Sequence, residues 1–399
     1  MKLTKYNTNE PINYYHTDKQ IEIPEVYIEK DVRALWVSNV VNIDLPTIED
    51  LDNYQSQIIQ MLETCMSYNI NTIFFQVRTT NDAFYESKLN PYSRYFTGKE
   101  GKKPPFDVLA WVIEETKKRN ISFHAWCNPY RVSMNGKLSI EEYLETCDPL
   151  NFAKKHPELI VCDKGGKLIM NPASSIVKAF IIESMNELAK NYDIDGIHFD
   201  DYFYPYSGLH ETINDLSEFE KQSLSLGDFR RKNVNDVIEG VYQTVKSVNP
   251  KLQFGVSPFG IWKNQKSTEF GSNTDPKCSE SFYGQYADTL TWIKNGYVDY
   301  VVPQIYWEFG HKIAPFADIC DFWVKVCENH DVDLYIGHGA YRLGNDGEWQ
   351  NEKEITNQLK YTSQYDTIKG NVFFTYKTFI DKEKAYKGMQ ELRNLLNKE

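Results

Sequence analysis

Eight short apolar runs rich in β-branched and aromatic residues recur along this chain, each followed by a stretch with helical spacing. That alternation limits the possible folds more than any other feature. The runs are "RALWVSNV" (33–40), "NTIFFQVR" (71–78), "SFHAWCN" (122–128), "GIHFDD" (196–201), "FGVSPFG" (254–260), "YVVPQIYW" (300–307), "LYIGHGAYR" (334–342) and "NVFFTYKTF" (371–379). Amphipathic stretches lie between them at 51–67, 106–119, 176–192, 228–248, 315–329 and 354–365. Strands alternating with helices pair in parallel through right-handed crossovers. Eight such units predict an α/β fold of the closed (β/α)8 TIM-barrel type, whose usual ~250 residues grow with insertions. An open doubly wound sheet is the competing arrangement, but no glycine-rich phosphate turn follows the first run.

Connections from a helix into the next strand are short, such as "SYNI" and "NYDID". Connections out of the third, fourth and fifth strands are long, spanning 129–175, 202–227 and 261–286. Long insertions confined to the carboxyl ends of strands suit a barrel enzyme, whose site is built from those loops. Residues 1–31 show no period and read as an N-terminal arm, leaving 32–399 as one barrel domain.

The 44 Lys and Arg residues are outnumbered by 56 Asp and Glu, for a net charge of −12. With no basic face to displace counterions, a nucleic-acid partner is not expected. No apolar run is long enough to span a membrane. The opening "MKLTKYNTNE" has no apolar h-region, so the chain as it stands is expected in the cytoplasm, and outside the cell if it is the trimmed form of a longer one. Seven cysteines without a CxxC pair read as free thiols. Oligomeric state has no signature here.

Each run changes from apolar to functional residue types at its carboxyl end. The second ends in Gln76 and Arg78, and the third leads to Trp126, Asn128 and Arg131. The fourth gives His198, Asp200, Asp201, Tyr202 and Tyr204, the fifth Ser257 and Trp262. The sixth gives Gln304, Tyr306, Trp307 and Glu308, the seventh His338, Tyr341 and Arg342, and the eighth Tyr376 and Lys377. Aromatic residues make up 14% of the chain. Rings with polar handles suit sugars, which present C–H faces and hydroxyl edges, so an oligosaccharide or glycan is the expected ligand.

The stretch "DGIHFDDYFYP" carries the chemistry. Side chains alternate along a strand, so Ile197 and Phe199 face the helices while His198 and Asp200 point into the barrel, with Asp201 at the strand end. Two adjacent carboxyls do not both ionise easily, so one pKa is expected to rise. A proton donor beside a permanent anion is what glycosidic cleavage needs. Asp201 capping a turn or pairing with Arg131, Arg78 or Lys377 is the plainer alternative. Glu308 is the other candidate second carboxylate; paired with Asp200 it would imply retention at about 5–5.5 Å or inversion at ~6.5–9.5 Å. Neighbouring acids suit a different route, in which the 2-acetamido group of the substrate attacks the anomeric carbon. "HFDD" lacks the HxH and HExxH spacings of metal hydrolases, so neither metal nor cofactor is expected. A non-catalytic glycan-binding barrel and a metal-assisted deacetylase or amidase remain as rival readings.

Taken with "RALWVSNVVNIDLP", "NTIFFQVRTTNDAFYES", "HAWCNPYR", "FRRKNVNDVI", "FGVSPFGIW", "DYVVPQIYW" and "LYIGHGAYRLG", this stretch resembles the bacterial family 10-like glycosyl hydrolases from about Arg33 to Phe379. The resemblance implies a TIM barrel, glycoside hydrolase activity and, for some members, action on bacterial cell-wall glycan. It marks Gln76, Arg78, Trp126, Asn128, Arg131, Asp200, Asp201, Gln304, Tyr306 and Trp307 as site residues. "DGIHFDDY" is also faintly similar to the "DGxDxDxE" strand of chitinase-like barrels, with Tyr202 where their catalytic Glu stands. The expectation is a retaining glycoside hydrolase acting on N-acetylated glucosamine-type glycans, with Asp201 as general acid and Asp200 as its anionic partner.

Overall fold

The second apolar run forms a strand, Thr72–Arg78, with all seven residues buried. A strand covered on both faces belongs to a parallel sheet enclosed by helices. In the computed structural model, which describes residues 1–134, 136–210, 214–266 and 268–397, eight such strands close on themselves. They are Val32–Val37, Thr72–Arg78, Ser122–Cys127, Gly196–Phe199, Gln253–Val256, Tyr300–Val301 resuming at Gln304–Ile305, Asp333–His338 and Ile368–Phe374. Every pairing between them is parallel. The eighth strand meets the first (Val372 opposite Ala34) and the seventh (Phe373 opposite His338), which completes the (β/α)8 barrel.

Large rings fill the barrel. Trp36, Phe74, Trp126, Tyr300 and Tyr335 form an inner cluster with Ala34, Val302 and Val372. Inward-facing glycines make room for them: a Cβ on Gly255 would lie 2.2 Å from the Tyr300 ring, and one on Gly196 2.3 Å from His124. Outside, the helix Leu51–Ser67 starts at Asp50, whose side chain accepts from the Asp52 N–H, and buries Ile58, Met61, Leu62 and Cys65. Each such aliphatic side chain stabilises the fold by roughly 1.5–3 kcal/mol. Helices Ser175–Asn191 and Leu226–Val248 are capped in the same way by Ser174 and Ser225.

Several expected strands end early. The fourth stops at Phe199, and the run 371–379 splits into a strand ending at Phe374 and a helical turn, Tyr376–Phe379. Pairing is lost where tilted strands splay apart at the barrel mouth, so the polar carboxyl ends of these runs lie beyond the sheet. The helices Thr289–Asn295 and Tyr386–Leu396 are additions to the sequence reading. Another is the antiparallel hairpin Ile160–Cys162/Leu168–Met170 inside the third loop. Residues 1–23 fold through antiparallel bridges between Lys2 and Glu22, Thr4 and Pro11, and Asn13 and Gln20. Leu3, Ile12, Ile21 and Ile23 of this arm join the main hydrophobic core. Among the described residues no helix is long and apolar enough to cross a membrane.

Candidate active site

A cavity of about 380 Å³ opens at the carboxyl end of the barrel, and all eight strands or the loops that follow them reach it. The first contributes Trp36 and Ser38, the second Gln76, the third Trp126 and Arg131. The fourth supplies Asp200, Asp201, Tyr202 and Tyr206, the fifth Ser257 and Phe259. Gln304, Tyr306 and Trp307 come from the sixth, Tyr341 and Arg342 from the seventh, and Phe374 from the eighth. The volume falls in the roughly 300–1,000 Å³ range of small-molecule sites. Apolar walls with a few converging polar groups are what a pyranose ring requires.

The two carboxyls at its floor are held differently. Asp200 is 4% exposed and accepts from Trp126 Nε1 (3.1 Å), Asn128 Nδ2 (3.0 and 3.1 Å to its two oxygens) and the Tyr202 N–H (3.2 Å). Three donors thus serve a group with about four acceptor positions, the Asn128 amide being shared between its two oxygens. Asn128 is itself held by the Arg131 N–H, which donates to its Oδ1 at 2.9 Å. Burial raises the pKa of Asp200, opposed by the Arg131 charge and by the Trp126 and Asn128 donors. Asp201 is 6% exposed and accepts from the Tyr206 hydroxyl, with Gln304 as a second side-chain partner. Burial, and then the neighbouring Asp200 charge, pushes Asp201 up to about 6. Both carboxyls are therefore raised, where the adjacency alone led us to expect a rise in one. Donors and a guanidinium support the anion at Asp200, and that anion helps Asp201 keep its proton.

Twelve of the expected residues line this cavity: Gln76, Trp126, Arg131, Asp200, Asp201, Tyr202, Ser257, Gln304, Tyr306, Trp307, Tyr341 and Arg342. The guanidinium of Arg131 lies 4.4 Å from the Tyr202 ring centre rather than in an ion pair with Asp201. Gln76 spends its Oε1 on the backbone N–H groups of Asn39 (3.0 Å) and Val40 (2.8 Å), so that it shapes the wall as well as facing the cavity.

The remaining expected residues lie elsewhere. Glu308 turns away from the cavity, and its Oε2 accepts from Trp349 Nε1 at 2.8 Å. Arg78 is buried behind the wall, donating to the Asn128 and Pro129 carbonyls and to Asn81. Asn128 acts through Asp200 rather than lining the cavity. His198 lies below the floor among Trp36, Ser257 and Tyr300, and burial keeps its pKa well below the usual imidazole range. His338 is held by Gln358 (2.9 Å) and Asn371 (2.8 Å). Tyr204 packs against Arg230 and Tyr286, and Tyr376 is buried in the helical turn after the eighth strand. Arg78, His198 and His338 lie within their strands, whereas Asn128, Tyr204, Glu308 and Tyr376 lie beyond the strand ends, in the segments that follow.

Sequence reasoning missed Trp36, Ser38, Tyr206, Phe259 and Phe374 as lining residues. Trp36 and Phe374 were legible in principle, because each lies at or next to the carboxyl end of its strand. Tyr206 had no signal: the loop beyond Pro205 turns it back onto Asp201. Among the described residues no group of three or more His, Cys, Asp or Glu side chains is placed to hold a metal ion.

A closed parallel barrel with paired carboxyls at the floor of an aromatic-walled mouth defines the class, a glycoside hydrolase. The fold is shared with the glycoside hydrolase domain of PgaB (BpsB) from Bordetella bronchiseptica. That likeness has a TM-score of 0.58 at 12% identity, covering 92% of this chain and 99% of that one. The chain belongs to the glycosyl hydrolase-like 10 family, whose profile matches residues 31–354. Its relatives include the glycosyl hydrolase YngK of Bacillus subtilis (strain 168), 37% identical over 88% of this chain and 69% of that protein. Glycosyl hydrolase DigH of Escherichia coli (strain K12) is 31% identical over 91% of this chain and 87% of its own length.

Proposed function

We propose that the protein cleaves glycosidic bonds in N-acetylated glucosamine-type glycans with retention of configuration, the 2-acetamido group of the substrate acting as the internal nucleophile. The observation that carries this reading is the inequality of the two neighbouring carboxyls. Asp200 is held by three donors and keeps an acceptor position for an amide N–H, whereas Asp201 holds its proton up to about pH 6.

In this mechanism Asp201 gives its proton to the glycosidic oxygen as the bond from that oxygen to C1 breaks. The acetamido carbonyl oxygen closes on C1 to form a bicyclic oxazolinium ion. Asp200 accepts from the amide N–H and balances the positive charge that develops on the ring. Asp201, now a carboxylate, takes a proton from water as the water oxygen attacks C1 and reopens the ring. Two displacements at one carbon restore the original anomeric configuration. Trp126, Trp307 and Tyr202 offer faces to the pyranose, and Gln304 and Arg131 reach its hydroxyls. Cell-wall glycan is the bacterial polymer of this chemistry that the family resemblance suggests.

Asp201→Asn is expected to abolish the appearance of new reducing ends, followed by mass, while oligosaccharide binding persists; unchanged turnover would reject the role. The nucleophile is tested separately by replacing N-acetyl with N-trifluoroacetyl in the substrate. Fluorination weakens the carbonyl oxygen, so the rate should fall steeply. An equal rate would exclude participation by the amide.

A further inference from the structure

A second cavity, of about 220 Å³, adjoins the first and shares Arg131, Met134, Tyr202 and Tyr206 with it. It is smaller than most free-standing ligand sites, which run from about 300 Å³ upward, and so reads as an extension of its neighbour. Two insertions enclose it. Asp163 in the third loop bridges to Leu209 in the fourth, and the Lys164 N–H donates to the Gly208 carbonyl at 2.9 Å. The partition between the cavities consists of the Tyr202 and Tyr206 rings, 5.5 Å apart at 66°. Both rings are close to half exposed (43% and 45%), an unusual loss of apolar burial for two large side chains beside a core.

We propose that this second cavity is the subsite for the next pyranose ring on the leaving-group side, so that the enzyme cuts within glycan chains. The inference rests on Asp201 being the proton donor. A general acid stands on the side of the departing oxygen, and Tyr206 is bonded to Asp201 and forms the wall of the second cavity. Asp200, Asp201 and Trp126 line the first cavity and not the second. Beyond the partition, Ile169 and Pro205 offer apolar surface to a ring face, while Lys167 and Ser207 offer polar groups to its edge. The hydroxyls and aliphatic faces of a sugar match that mixture. The two long insertions then have a common purpose, which is to build one subsite between them.

The test uses the full chain, a tetramer of β-1,4-linked N-acetylglucosamine, and the corresponding monosaccharide fluoride, whose leaving group is a single atom that needs no ring subsite. Ser207→Trp places an indole at the second cavity without touching the first. It is expected to lower kcat/KM on the tetramer about tenfold, equivalent to about 1.4 kcal/mol, while turnover of the fluoride stays within about twofold. Lys167→Ala should act in the same direction with a smaller fall. Equal losses on both substrates, or none on either, would overturn the subsite.

Calorimetry separates this inference from the hydrolase reading. If the wild-type protein cleaves neither substrate, that reading fails by itself. The subsite then stands only if the tetramer binds more tightly than the dimer and Ser207→Trp removes the gain. Affinity that does not grow with chain length, or growth that survives the substitution, overturns it.

Discussion

Tyr206→Phe isolates the proton affinity of the general acid. The substitution keeps the ring and removes one hydroxyl, the donor to Asp201. A hydrogen bond to an ionised partner contributes roughly 1.5–3 kcal/mol. Because Tyr206 is 45% exposed, water takes over part of that role, and the loss is discounted to about 1.4 kcal/mol. That equals about one pH unit. The sign follows from which form is stabilised. The hydroxyl donates to the carboxylate, so its removal favours the protonated acid and raises the pKa of Asp201 from about 6 to about 7. A general acid works only while protonated, so activity is present below that pKa and lost above it. The alkaline limb of kcat/KM against pH, measured on the tetramer, should therefore fall near pH 6 in the wild type and move about one unit higher in the variant. The acidic limb reports Asp200, which must be ionised, and should stay in place. An alkaline limb that is unmoved, or that shifts to lower pH, would refute the assignment of Asp201 as the acid.

The other predictions concern acids outside the cavity. Glu308→Gln should change kcat/KM by less than about threefold, since Glu308 is held by Trp349 away from the carboxylate pair; a fall on the order of a hundredfold, the size of a lost general acid or base, would restore it as a catalytic group. Glu354 is 2% exposed, and burial raises its pKa to about 8 although it accepts from the Phe309 N–H and Gln358 Nε2. A raised carboxyl pKa means the folded chain keeps a proton that the unfolded chain has lost, so stability falls as pH rises from about 4.5 to about 8. Glu354→Gln keeps an acceptor and removes the titration. Its melting temperature should gain on the wild type steadily from pH 5 to pH 8, and a constant difference across that range would contradict the burial argument.

The barrel was readable because its cause is local and repeated. Eight runs such as "NTIFFQVR", each followed by an amphipathic helix, leave parallel closure as the way to cover every strand on both faces. The inward direction of His198 and Asp200 followed from the two-residue alternation of a strand, and both lie inside. The adjacency of Asp200 and Asp201 was likewise present in the chain order. Which residues stand around that pair is another matter, because it depends on where each strand ends and where each loop returns. Glu308 and His338 carry the right chemistry at the right edge, yet Trp349 in one case and Gln358 with Asn371 in the other draw them into packing. Tyr206 gave no comparable sign and reaches the cavity. Periodicity acts over a few residues and so can be read along the chain. The unequal treatment of two adjacent carboxyls comes from donors 72 and 74 residues away in sequence, Asn128 and Trp126, which only the closed barrel brings to Asp200.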